Sequence, residues 1–424
     1  MLRKVYSYSI LLSIFFGIFI CAVFVTQAET IDQIQDKIDT ANKNRAALEK
    51  EIAKYQDQLK TISSQAVTLQ STIKSLDVST SKITTEVKLV ENNIDKTAYT
   101  IEDTGLEIKN REKQIYMGNL AIIEDLKLIN EADNQSVLEI LLSNQDLSAF
   151  WTDMEDIIQV QSKIGDQVSN VKNIKVNLEK AKANLVQKKN ELEQYNKELN
   201  DKKSVLQSTK KEKSTLLTAT KSTEANYQKI LKDKLALKQA LDQEINSFES
   251  QLKMIIDPKS FPPAGKGILA WPLDNIFITQ NFGKTTDSGR LYVSGTHNGV
   301  DFRASIGTAV KSAGNGVVEG TGNTDTVCPG ASYGKWVFIR YDNGLASVYG
   351  HFSVVSAKAG DRVKTGDVVG YSGNTGYSTG PHLHMGVYAG QGVKISSLKS
   401  TVCKGTYTIP VADLKAYLDP LVYL

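Results

Sequence analysis

From Ile31 onward, apolar side chains recur at alternating spacings of three and four residues. Ile31, Ile34, Ile38, Ala41, Leu48, Ile52, Tyr55, Leu59, Ile62, Ala66, Leu69, Ile73, Leu76, Ile83, Val87, Val90, Ile94 and Ile101 keep this register, with lapses at Arg45, Thr80 and Thr97. A heptad seam sustained over so many turns predicts a coiled coil. A looser seam runs through Val168, Val171, Leu178, Ala181, Leu185, Leu192, Tyr195, Leu199 and Leu206, then recovers at Leu241, Ile245, Phe248, Leu252 and Ile255. The register fails over 131–159, where apolar clusters and Trp151 replace the seam. The arms on either side, about 31–130 and 157–255, are nearly equal in length. That symmetry predicts one chain folded back as an antiparallel helical hairpin, with a tip near 131–159 and arms of up to ~150 Å at 1.5 Å per residue. A parallel homodimer of long helices is the competing arrangement.

The pattern changes after residue 255. "IIDPKSFPPAGKG" (255–267) ends the helix and forms a short stiff linker over 256–267. Beyond it, "WVFIRY" and "LASVYGHF" flank Asp342-Asn343-Gly344, which predicts a hairpin with a positive-φ turn at Asn343-Gly344. "GVVEG", "DRVKTGDVVGYSG" and "HLHMGVY" read as further short strands with Gly-rich bends. The expected fold is therefore a long helical coiled coil over 29–255 followed by a compact all-β domain over 268–424, a barrel or a sandwich.

Composition sharpens this boundary. All eight prolines lie at or beyond Pro258, and 25 of the 29 glycines lie beyond residue 264. The formal net charge of +3 gives no case for nucleic-acid binding. At the N-terminus, Arg3 and Lys4 precede the apolar run Ile10 to Val25 and then "TQAET". These are the parts of an export signal over 1–28, with cleavage after Ala28 or retention of 10–25 as a membrane anchor. A run of sixteen residues falls short of the ~20 that a span needs. Export puts Cys328 and Cys403 in an oxidising compartment, where they are expected to pair; two free cysteines are the alternative. They do not form a CxxC-type metal motif.

The four histidines of the chain, His297, His351, His382 and His384, all fall in the β segment. In "HNGVD" His297 precedes Asp301 by four residues, and Asn298-Gly299 predicts a turn that brings imidazole and carboxylate together. In "HLH" the strand period of two puts His382 and His384 on one face and Leu383 on the other. Two imidazoles and one carboxylate suit a catalytic zinc ion, because they leave a fourth position for water. Two histidines then remain outside the ligand set, one to take a proton and one to stabilise an oxyanion.

Together "HNGVD", "YGHFS" and "GPHLHMGV", preceded by "WPLDNIFITQNFG" (271–283), make residues 268–400 resemble the lysostaphin/LytM-type zinc metallopeptidases, which are peptidoglycan endopeptidases with a small β-sheet fold. The resemblance implies His297, Asp301 and His384 as ligands of one zinc ion, and His382 and His351 beside the attacking water. Signal, coiled coil and β domain in this order are similar to cell-wall hydrolases of septation and elongation. That similarity implies a peptidoglycan substrate, a periplasmic or extracellular location, and a membrane or divisome regulatory partner on the coiled coil. Some relatives of this layout have lost the metal ligands and only activate other hydrolases. Here every motif position is filled.

Overall fold

The computed structural model describes residues 31–63, 67–133, 147–285 and 295–424. The expected signal over 1–28, the apolar run 10–25 and the centre of the expected tip lie outside the described residues. Among the described residues four helices come first: α1 (Ile31–Ser63), α2 (Leu69–Asp133), α3 (Leu147–Thr220) and α4 (Glu224–Glu249). No helix among the described residues is long and apolar enough to cross a membrane.

The chain divides into two units, one built from residues up to 44 and 93–193, the other from 45–92 and 194–424. In the first, Glu112 of α2 reaches Lys182 of α3 at 3.0 Å. Further along α2, Gly118 comes so close to Val171 that a Cβ there would sit 2.6 Å from it. Numbers rise on one helix as they fall on the other, so the two run antiparallel. In the second unit Asp77 pairs with Lys213 and Glu86 with Lys202, in the same sense.

Two breaks depart from the expected pair of uninterrupted arms. The first arm is two helices, because α1 ends at Ser63 and α2 starts at Leu69. Thr68 caps α2: its Oγ1 accepts from the Ser71 N–H at 3.1 Å, and the Ser71 hydroxyl accepts from the Thr68 N–H at 3.0 Å. This reciprocal pair satisfies two backbone donors that the helix cannot. The seam hides the break because α1 and α2 each keep an apolar stripe. In the first unit Lys37 of α1 lies over the ring of Tyr99 of α2, 5.0 Å from its centroid. The second arm breaks after Thr220, where Lys221 and Ser222 take positive φ of 48° and 57° before α4 begins.

Among the described residues the β domain shows thirteen short strands: β1 (Ile278–Gln280), β2 (Val300–Arg303), β3 (Ala309–Lys311), β4 (Gly316–Asn323), β5 (Lys335–Tyr341), β6 (Leu345–Gly350), β7 (Phe352–Val355), β8 (Arg362–Val363), β9 (Val368–Ser372), β10 (His382–Ala389), β11 (Val393–Ser400), β12 (Gly405–Ala412) and β13 (Tyr417–Leu418). The main antiparallel sheet runs β1-β2-β10-β6-β5-β4-β8, with β13 also on β10; β3-β9-β7 and the β11-β12 hairpin form separate sheets. The predicted hairpin is β5-β6. Of its turn residues only Gly344 has positive φ, and a Cβ there would meet the Ser260 carbonyl at 1.9 Å.

One face of the main sheet buries Val300, Phe302, Ile339, Tyr349, Leu383 and Met385 in a core. A second core gathers Trp336, Phe338, Val348, Tyr388 and the hairpin residues Tyr407, Ile409 and Val411. Leu241 of α4 is fully buried in this second core. The apolar stripe over 241–252 therefore packs on the β domain through Leu241, Ile245 and Leu252, while Phe248 and Ile255 stay exposed. Cys328 and Cys403 are bonded to each other, with Cα atoms 5.4 Å apart.

Candidate metal centre and cleft

Three neighbouring strands meet at one level of the main sheet. His384 on β10 stands opposite Asp301 on β2 and opposite Gly350 at the end of β6. His351 follows Gly350 with a φ of +64°, a region costly for any residue with a Cβ, and this turns its ring back toward β10. His297 enters from the loop before β2, fixed by paired backbone hydrogen bonds with Gly283 at 2.8 Å each. The Asn298-Gly299 bend carries the chain from His297 into β2, as its sequence predicts. Gly299 has a spatial reason as well: a Cβ there would lie 2.5 Å from the Met385 carbonyl and 2.8 Å from His384 Nε2.

The donor atoms of His297, Asp301 and His384 converge, and all three residues are buried. His384 Nδ1 is 2.9 Å from Asp301 Oδ1, His297 Nε2 is 3.3 Å from the same oxygen, and the two nitrogens are 3.2 Å apart. Ligands ~2.1 Å from a tetrahedral ion stand about 3.4 Å from one another, so this triangle fits zinc after small adjustments. The tautomer fits as well, because His297 Nδ1 faces the Asn281 carbonyl at 3.0 Å and must donate to it. Its Nε2 then carries the lone pair on the side of the triangle. Burial pushes the Asp301 carboxyl up, but the charge of His382 and the hydrogen bonds of His297 and His384 outweigh it and hold the group well below the usual carboxylate range. Burial also lowers the His384 imidazole, partly offset by Asp301. An ionised carboxylate beside a neutral imidazole is the protonation that a metal requires.

His382 and His351 flank the triangle, their ring centroids 4.5 Å apart. His382 Nδ1 donates to the Gly380 carbonyl at 2.8 Å, and its Nε2 lies 3.8 Å from Asp301 Oδ2. His351 Nδ1 donates to the Thr375 carbonyl at 2.8 Å. Both rings, when neutral, thus present Nε2 as an acceptor. Burial, reinforced by His382 and His384, holds His351 well below the usual imidazole value. The oxyanion-donor role expected for one of them is open to His351 only after it has gained a proton. The structure brings all five sequence-predicted site residues into one cavity of about 450 Å³.

Sequence reasoning missed the rest of this cavity. Tyr333 packs 5.6 Å from the His384 ring, its phenol pushed up to about 12 by burial and bonded to the Asn298 amide. The α4 helix contributes Lys238, Asp242, Ile245, Asn246 and Glu249 to the lining. Lys238 and Asp242 form an ion pair one turn apart, and Lys238 lies 5.1 Å from the Tyr377 ring centroid. The overlooked signal is that Lys238 occupies a seam position in step with Leu241 and Ile245, where charge has no place in a coiled coil.

Residues 295–396 match the model of Peptidase family M23. The DD-carboxypeptidase/endopeptidase Mpg of Neisseria meningitidis serogroup B is 41% identical over 88 residues, covering 21% of this chain and 19% of that protein. The peptidoglycan DD-endopeptidase ShyA of Vibrio cholerae is 40% identical over 122 residues, covering 29% of this chain and 26% of that protein. The chain thus spans between a fifth and about a quarter of the length of these relatives. Among solved structures, the catalytic domain of lysostaphin from Staphylococcus simulans is 28% identical and covers 35% of this chain and 91% of that domain, at a TM-score of 0.26. Residues 295–396 are a peptidase family M23 domain, carried behind a long helical segment.

Proposed function

We propose that this chain is a zinc-dependent endopeptidase that hydrolyses peptide cross-links or stems of bacterial peptidoglycan in the cell-wall space. The observation that carries the reading is the buried triangle of His297, Asp301 and His384, flanked by two imidazoles that present Nε2. The name of ShyA, a peptidoglycan DD-endopeptidase, supports the substrate class. Zinc, when bound, lowers the pKa of a coordinated water toward ~7 and polarises the scissile carbonyl. His382 would accept a proton at Nε2 from the attacking water, while the Gly380 carbonyl holds Nδ1 and fixes the ring. His382 would then pass that proton to the leaving amine, while His351, once protonated, would donate from Nε2 to the oxyanion and keep its own proton.

The helices regulate or target this site. The α4 helix lies in the cleft, held by Glu249 against the Ala412 N–H at 3.0 Å and the Tyr417 hydroxyl at 2.8 Å, and by Glu244 on Ser400 at 2.6 Å. It must move before a peptide chain can reach the histidines, and a membrane or divisome protein bound to the coiled coil would supply that movement. The occupied cleft also favours a second reading, a non-catalytic scaffold that activates other hydrolases. Metal analysis with a muropeptide digest of sacculi separates the two. His384→Ala is expected to lose both zinc and cleavage, while His382→Ala keeps zinc and loses ~10²–10⁴ in kcat. A zinc-loaded wild-type chain that releases no product yet stimulates another hydrolase would establish the scaffold reading.

A further inference from the structure

Both imidazoles that flank the donor triangle rest on one short segment, residues 373–376, which follows β9. Gly373 forms a β-bridge with His382, and the Thr375 carbonyl accepts from His351 Nδ1 at 2.8 Å. Thr375 is tied into the β domain by its hydroxyl, which donates to the Phe352 carbonyl at 2.8 Å and accepts from the Lys335 N–H at 3.0 Å. Gly376 leaves no slack beyond it, since a Cβ there would lie 2.3 Å from the Gly334 nitrogen. Between the two supports stands Asn374, whose side chain is held from another element. Its Nδ2 donates to Glu212 Oε1 of α3 at 2.9 Å.

This contact does more than a surface hydrogen bond would. Asn374 Oδ1 is buried and finds no hydrogen-bond partner among the described residues, so Glu212 is what keeps the amide in place. Without Glu212 a buried amide is unsatisfied at both ends, a costly state that the segment relieves by shifting until the amide reaches water. A shift at Asn374 passes to Gly373 and Thr375, and through them to both rings. The place of α3 does not itself depend on Glu212. Asp201 accepts from the Ser356 hydroxyl at 2.7 Å, Lys202 donates to the Gly307 carbonyl at 3.0 Å, and Val205 is buried with Ile306 and Tyr371. None of these contacts involves α4.

We infer that Glu212 is a positioning residue for the peptidase reaction, acting through Asn374 to hold His351 and His382 beside the donor triangle. The α3 helix is then part of the catalytic frame, a role separate from the position of α4. The inference rests on the endopeptidase reading and adds to it a residue outside the M23 segment 295–396.

The test uses the zinc-loaded full chain with isotope-labelled histidine, which has only four imidazoles to resolve. In Glu212→Ala the His351 Nδ1–H is expected to exchange with water at least tenfold faster than in the wild type. The His297 Nδ1–H, held by the Asn281 carbonyl, is the internal control and is expected to stay unchanged. On a muropeptide, Glu212→Ala is expected to lose about tenfold in kcat, with KM and zinc content unchanged. Glu212→Gln, whose amide oxygen still accepts from Asn374, should recover most of both losses. Asn374→Ala, which leaves α3 intact, should reproduce them, and the double variant should lose no more than either single one. An unchanged kcat or an unchanged His351 resonance in both single variants overturns the inference, and leaves the endopeptidase reading standing if the wild type cleaves. Additive losses, or a His297 resonance disturbed as much as that of His351, overturn it too. A wild-type chain that releases no product overturns the endopeptidase reading, and a selective His351 response would then still support the brace through Asn374.

Discussion

At the residue scale, the candidate site depends on side chains that are absent as much as on those present. Gly299 has no Cβ where one would press into the His384 ring and the Met385 carbonyl. Gly299→Ala must push His384 out of the donor triangle, because β10 is held on both sides by β2 and β6 and cannot yield. We expect a 10–100-fold loss of zinc affinity, as when a supporting partner of a ligand is lost, with the fold retained. Zinc titration followed alongside circular dichroism checks this; unchanged affinity would show that the β2–β10 pair gives way. The five chemical residues were legible because histidine is scarce and its spacings match a turn and a strand. Asn298-Gly299 predicted the bend, but the clash that excludes a side chain depends on β10, 85 residues away. Tyr377 and Tyr333 were not legible, since tyrosine in a β domain is ordinarily core.

At the element scale, α4 is the piece the heptad pattern misassigned. Its stripe reads as a seam, yet Leu241 and Ile245 pack on the hairpin core, because an apolar stripe specifies burial and leaves the partner open. The charged residues on the buried side of α4, Lys238 and Glu249, carry the distinction. Burial lifts the Glu249 carboxyl to about 7, against the hydrogen bonds from Ala412 and Tyr417, and the charge of Asp242 adds to the rise. A carboxyl with a raised pKa favours the seated helix in its protonated form. The seat is therefore firmest below the ordinary value of 4.5, weakens as pH climbs to about 7, and changes little above it. At about 1.4 kcal/mol per unit, the window corresponds to about 3 kcal/mol. Melting curves of the full chain at pH 5 and pH 8 are expected to differ in the wild type. Glu249→Gln, whose amide oxygen still accepts both bonds, should flatten the difference. A difference of the same size in the variant would place the titration elsewhere.

At the scale of the whole molecule, the switch from a proline-free helical segment to a Gly-rich β domain was plain in the sequence, because proline and glycine are excluded from long helices by backbone chemistry. The breaks at Ser63 and Thr220 were less legible. Reciprocal capping at Thr68 and Ser71 is a weak signal among many threonines, and non-glycine residues in the left-handed region at Lys221 and Ser222 carry none. The cysteine pair was expected from compartment alone, and the structure shows what it joins. Cys328 sits beside the loop that carries Tyr333 into the cleft, and Cys403 closes the β11-β12 turn whose Ser400 and Thr401 hold Glu244 of α4. The bond spans 75 residues, and closing a loop of that length in the unfolded chain contributes on the order of 4 kcal/mol. For a domain of this size such a loss corresponds to a fall in Tm of about 10 °C. Cys328→Ala/Cys403→Ala should show that fall, and wild-type protein melted in reductant should show the same. The double variant should be indifferent to reductant. A wild-type Tm that reductant leaves unmoved would mean that the two thiols are not bonded in the folded protein.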